Sequence, residues 1–155
     1  MSAEGITDAA VRHFAANVSG IKGAYASAAG GQGATVRTLP SDIFDTPVAI
    51  LELTSLRWDM DAGSFERTRW YFDVNVWFSA TDAGATAKLA VPFMSRIKDS
   101  LRSNSDLYGT ATITQALGGG PMVAEEVNGK PYMVLPVHMY ALEAAMVAGG
   151  YTRQP

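Results

Sequence analysis

Apolar positions recur along this chain with two different periods, and the switches between them mark out the elements. Between Ile6 and Val18 the apolar residues Val11, Phe14, Ala15 and Val18 return every three or four positions. That spacing sets them on one stripe of a helix. Thr7 or Asp8 is expected to cap its start, and Gly20 to end it in a left-handed conformation. From Val48 to Ser55 the period falls to two, with Ala49, Leu51 and Leu53 on one side and Val48, Ile50 and Glu52 on the other. The same alternation returns in FERTRWYFDVNVWFSA, Phe65 to Ala80. There Trp70, Phe72, Val74, Val76 and Phe78 share one face, and Arg69, Tyr71, Asp73, Asn75 and Trp77 the other. Between these strands, LRWDMDAGSFE reads as a long hairpin loop with Asp-Ala-Gly near its tip.

A helical period resumes at Thr81 or Asp82 and runs to about Arg102. Pro92 has no N–H to donate and its ring crowds the preceding turn. Two helices are therefore expected: Ala83 to about Ala90, then one with Pro92 in its first turn and Phe93, Met94, Ile97 and Leu101 facing inward. Shorter strands are expected at Ala24 to Ser27 and Thr110 to Leu117. Met122–Val127 and Pro131–Glu143 flank Asn128-Gly129, the signal of a tight type I′ hairpin. In the last strand Met133, Leu135, Val137 and Met139 share one face and Tyr132, Val134, His138 and Tyr140 the other. Pro136 predicts that this strand lies at an edge or carries a bulge. Gly30, Gly31 and Gly33 predict a flexible loop, and the residues from about 148 a loose tail. Hairpin connections imply an α+β fold in one domain, residues 1–155: a mainly antiparallel sheet with an N-terminal helix and central helices packed on it, and a long β-hairpin projecting.

Composition narrows the function classes. Of 155 residues 48% are hydrophobic and 17% charged, as in a globular domain rather than a disordered chain. The formal net charge of -3, with Lys and Arg scattered, gives no reason to expect a basic nucleic-acid surface. With no cysteine there is no disulfide, thiolate metal site or cysteine nucleophile, which fits synthesis in a reducing cytoplasm. No apolar run is long enough for a membrane helix, and MSAEGITDAA does not read as a signal peptide.

Chemistry-bearing motifs are sparse. GGQGAT lacks the Lys-Ser/Thr ending of a phosphate loop, and no G-x-S-x-G occurs. His13 and His138 have no partner at metal-ligand spacing, so structural or surface roles are expected. Asp59 and Asp61 read as a solvated hairpin tip. Glu125 and Glu126, adjacent on a strand, face opposite sides and cannot share a proton. No enzyme, cofactor or metal is expected.

Aromatic surface is abundant by contrast. Helices can cover the Trp70–Phe78 face of the central strand, but Tyr71 and Trp77 lie on the other face. If the last strand is its neighbour, Tyr132, Val134 and Tyr140 extend that second patch. Burying one aromatic side chain contributes roughly 1.5–3 kcal/mol, so a wet aromatic face forfeits much stability. Another part of the chain, a ligand or a second copy is expected to cover it.

The order of elements resembles the tail-terminator proteins of long-tailed bacteriophages, the minor tail or head–tail joining proteins. Four stretches carry the likeness: ITDAAVRHFAANVSGIKGAYAS, TPVAILEL, RTRWYFDVNVWFSATDAGATAKL and VNGKPYMVLPVHMYALE. PFMSRIKDSLRSNSDLYGTATI between them resembles that family's helix leading into a late strand. The resemblance implies a non-enzymatic virion protein, made in the bacterial cytoplasm and located at the tail–neck junction. It implies self-assembly into a ring, usually a hexamer, that caps the head-proximal end of the tail tube. The implied partners are the tail tube protein, a head–tail connector or stopper protein, and DNA passing through the lumen without sequence recognition, with no membrane. On this likeness Arg57, Trp58, Asp59, Met60, Asp61 and Phe65 are expected to dock on the tube or a neighbouring subunit, and Trp77 and Tyr140 to line the subunit interface. Three alternatives stay open: a head-completion or stopper neck protein, a small-ligand module with Trp70, Phe72 and Tyr140 lining a pocket, and an enzyme using His138 with a distant carboxylate.

Overall fold

In a computed structural model the chain forms one α+β domain: a six-stranded sheet, mostly antiparallel, with two helices on one side. The structure describes residues 3–26, 46–60, 65–80, 83–127 and 129–146. The expected glycine loop at Gly30–Gly33, Asp61, the cap at Thr81 or Asp82, and the tail from about 148 lie outside them.

Helix α1, Ala3–Asn17, buries Ile6, Ala10, Phe14 and His13 against the sheet side of the core. It starts before the expected caps, so Thr7 is an interior, buried position. Gly20 does turn the chain after it, at φ +91, a conformation that glycine adopts without penalty. Strand β1, Gly23–Ala26, pairs in parallel with β2, Val48–Met60, and β2 pairs antiparallel with β3, Phe65–Ser79.

Helix α2, Ala83–Ser103, is one continuous helix, not two. The apolar stripe explains why Pro92 does not divide it. Thr86, Ala90, Phe93, Ile97 and Leu101 are all buried at helical spacing, so one packing face runs through the proline. Pro92 itself is exposed, on the side of the helix away from the buried stripe. The following turns hold Leu107 (φ 47) and Tyr108 (φ 59) in left-handed conformations and delay β4 to Ile113–Gly119, rather than Thr110.

Strands β5, Val123–Val127, and β6, Lys130–Met146, form the expected hairpin, with Val127 opposite Lys130 across a two-residue turn. β6 is not an edge strand. It pairs with β3 along one side, and along the other with β4 and then β5. Pro136 lies where that second partner changes: β4 pairs as far as Val137, β5 from Val134. The Pro136 carbonyl accepts the Gly120 N–H at 2.8 Å on that side. A strand residue's N and C=O point the same way, so the missing proline N–H falls in the gap between β4 and β5. Gly119 is required here, because a Cβ would meet the Pro136 carbonyl oxygen at 2.6 Å.

The core between helices and sheet holds Leu51, Phe72, Val74, Val76, Met139, Phe14, Ile97 and Leu101, with Phe78 edge-on to Phe93 at 5.3 Å. A second, smaller cluster lies on the far side of the sheet: Val48, Ile50, Trp77, Tyr132 and Val134, with Tyr25 and Val127 against them.

Candidate functional site

Register sorts the sheet residues by face, and two places follow from it. β2, β3 and β6 run on together beyond the stretch of β2 that β1 pairs: Leu56, Trp70 and Ala141 form one cross-strand row, Trp58, Thr68 and Glu143 the next, and Met60 and Phe65 end the two strands. Trp70 is 8% exposed and Thr68 in the next row is equally buried, while Trp58, on the outer strand of that row, is 67% exposed. The segment expected as a long hairpin loop from Leu56 is therefore strand as far as Met60. It projects as a three-stranded arm rather than a two-stranded finger, because β6 backs it to Met146.

Alternation divides the expected docking residues between the two faces of that arm. Trp58 points to the helix side; Arg57 and Asp59 point to the far side, joined by an ion pair of 3.1 Å. Arg67 and Arg69 share that far side, opposite Asp59 and Arg57. An indole this exposed, held on paired strands rather than on a loop, is pre-ordered for contact: binding it costs little further chain entropy.

The second place is the middle of the far face. Asp73 of β3 and His138 of β6 are directly opposite, and the Asp73 carboxylate accepts from His138 Nδ1 at 2.6 Å. The histidine side chain stays 46% exposed. Tyr71 and Tyr140 form the next row, with ring centroids 6.1 Å apart. The Tyr140 hydroxyl donates to Gln115 at 2.8 Å, and the Arg69 guanidinium lies 5.9 Å from the Tyr140 ring centre. A hydrogen bond to Tyr71 is the main reason the Arg69 pKa is raised. Sequence reasoning placed His138 and Asp73 on their correct faces but did not pair them. Their separation of 65 positions carries no local signal, and only the β3–β6 register joins them.

Two expectations meet a different geometry here. Trp77, expected at a subunit interface, is 7% exposed and sits edge-on to Tyr132 at 5.7 Å inside the chain's own second cluster. Its ring leaves little area for another copy. The imagined ligand pocket also dissolves: Trp70 and Phe72 face the helices while Tyr140 faces the other way, so they cannot line one cavity. A shallow cavity of about 200 Å³ does lie elsewhere, between Met94 and Lys98 of α2 and Leu117–Gly119 of β4. Among the described residues no group of three or more metal-ligating side chains converges, and no helix is long and apolar enough to cross a membrane.

No protein-family model matches the chain, and no curated protein matches it in sequence.

Proposed function

We propose that this chain is a structural assembly subunit of a long-tailed phage, a tail terminator that forms a ring, a hexamer by resemblance, on the head-proximal end of the tail tube. The arm carries this reading. Trp58, 67% exposed on the outer strand of the three-stranded arm, is an apolar anchor in search of a partner surface. The order of elements supports it too, since the resemblance rests on the strands and the helix that build the arm and its support. In this role the far face of the sheet, with Tyr140 half-exposed, faces a neighbouring subunit, and the ring stops tube growth and presents a surface to the neck. The test is binding of purified protein to tail-tube ends, read by electron microscopy as capped tubes of limited length. Trp58→Asp is expected to abolish capping while leaving the circular dichroism spectrum unchanged. Capping at wild-type affinity by that variant would reject the assignment.

A second reading has its own observation. The Asp73–His138 pair orients an exposed imidazole in the way a carboxylate orients a general base. Turnover of any ester or phosphoester substrate, lost in His138→Ala with the fold retained, would favour an enzyme over an assembly subunit.

A further inference from the structure

Two surfaces away from Trp58 carry opposite charge and lie at opposite ends of the sheet. One is the far side of the arm. Arg57 and Arg69 are directly opposite each other there, and Arg67 follows on the same side, opposite Asp59. Like charges directly opposite on paired strands destabilise a sheet. Asp59 offsets Arg57 through the 3.1 Å ion pair, and among the described residues three arginines on the arm's far side stand against this one carboxylate. The other surface is β5, where Val123, Ala124, Glu125 and Glu126 are all exposed. β5 pairs with β6 on one side, and among the described residues no strand pairs with its other side. That side offers an unused row of N–H and C=O groups to another chain. Its two glutamates disfavour an acidic or uncharged edge and favour a basic one.

Distance decides who that basic partner is. Glu125 is opposite Tyr132 of β6 and Arg67 is opposite Ala144 of the row beyond it. At about 3.3 Å per residue these positions lie roughly 40 Å apart along β6. No pair of side chains spans that gap, so the two surfaces can meet only between copies.

We infer that the arginine side of the arm in one copy binds the open β5 edge of the next. The contact joins different patches on its two partners, so it repeats head to tail and closes as a ring when the rotation allows. It gives the ring-forming reading above, on which it rests, a specific subunit contact. Because Trp58 projects from the opposite side of the arm, one arm can hold a sister copy and still present its indole to the tube.

The test uses the full chain in light scattering and sedimentation at low and high salt. Wild type is expected to associate with concentration, more weakly in salt, since the contact is ionic at its rim. Arg57→Glu with Arg67→Glu should lower the association constant at least tenfold, as should Glu125→Lys with Glu126→Lys. The chain carrying all four substitutions, or an equimolar mixture of the two double variants, should recover association. A wild type that stays monomeric at the highest concentration overturns the contact. So does association that both double variants retain, or a loss that neither the fourfold variant nor the mixture reverses. Tube-end capping is measured alongside. Capping without self-association rejects this contact and leaves the tail reading standing; self-association that follows the charge swaps without capping does the reverse.

Discussion

The side-chain amide of Asn17 donates to Nδ1 of His13 at 3.1 Å, and also to the His13 carbonyl at 2.9 Å. Asn104 brings a second amide to the same ring nitrogen at 3.4 Å, while its own oxygen accepts the Tyr108 N–H. Each amide orientation is set by its other partner, so Nδ1 is an acceptor and the ring proton sits on Nε2. The ring is fully buried, and Nε2 finds no hydrogen bond of good geometry. Burial pushes the His13 pKa below its ordinary value of 6.5, opposed by a weaker pull from the Ser100 backbone.

Acid should therefore loosen the junction of α1 with the turns after α2. The folded pKa lies below the unfolded one, so the unfolded chain binds more protons as pH falls below about 6.5, and stability falls with it. The slope contributed by this one group reaches at most about 1.4 kcal/mol per pH unit. Denaturant unfolding at pH 7.5 and 5.5 reads it. Asn17→Asp, which offers an acceptor to the charged ring, should flatten the loss, and His13→Leu should remove this group's share. An unchanged pH slope in both variants would mean that His13 is not the responsible group.

Pro92 sits inside α2 on its exposed side. Pro92→Ala restores an intrahelical N–H without removing buried surface. It should raise stability by about 1–3 kcal/mol, seen as a higher denaturant midpoint with an unchanged slope.

Gly119 should tolerate no side chain. The Cβ of Gly119→Ala falls 2.6 Å from a backbone oxygen and 3.1 Å from the Met94 methyl. Backbone cannot rotate away as a side chain can, so a loss of about 1–3 kcal/mol is expected. Calorimetry or chemical unfolding is the check.

Neighbouring tryptophans should behave in opposite ways. Trp70→Ala empties a buried site and should cost about 3–5 kcal/mol. Trp58→Ala, one row further along the arm, should change stability by no more than about 0.5 kcal/mol. Trp70→Phe should cost far less than Trp70→Ala, because it keeps most of the aromatic volume and leaves a smaller cavity; both changes remove the buried indole N–H that has no partner.

Much of the fold was legible because facing depends on local spacing. The alternation from Trp70 to Phe78, and from Met133 to Met139, assigned residues to the helix side as the structure has them. Boundaries failed where a distant contact overrode a local signal. The buried stripe through Phe93 and Ile97 carries α2 across Pro92, and pairing with β3, itself backed by β6, extends β2 through what composition marks as a loop. Pro136 predicts an edge strand or a bulge, yet β6 is an inner strand and the proline sits at the gap between two of its partners. Trp77 and Tyr140 share a face and one pattern, but Trp77 is enclosed beside Tyr132 while Tyr140 stays half-open. Spacing reveals which way a side chain points, and not what waits above it.

Strand β6 has a consequence for how the molecule comes apart. It is the common neighbour of β3, β4 and β5, so lifting it strips three ladders at once. Its inner amides, around Leu135 to Ala141, should exchange with deuterium only through global opening, whereas the short β1 and β5 can fray alone. The seventeen residues of β6 thus act as a single seam, and whatever tugs on the chain's last strand tests the whole sheet.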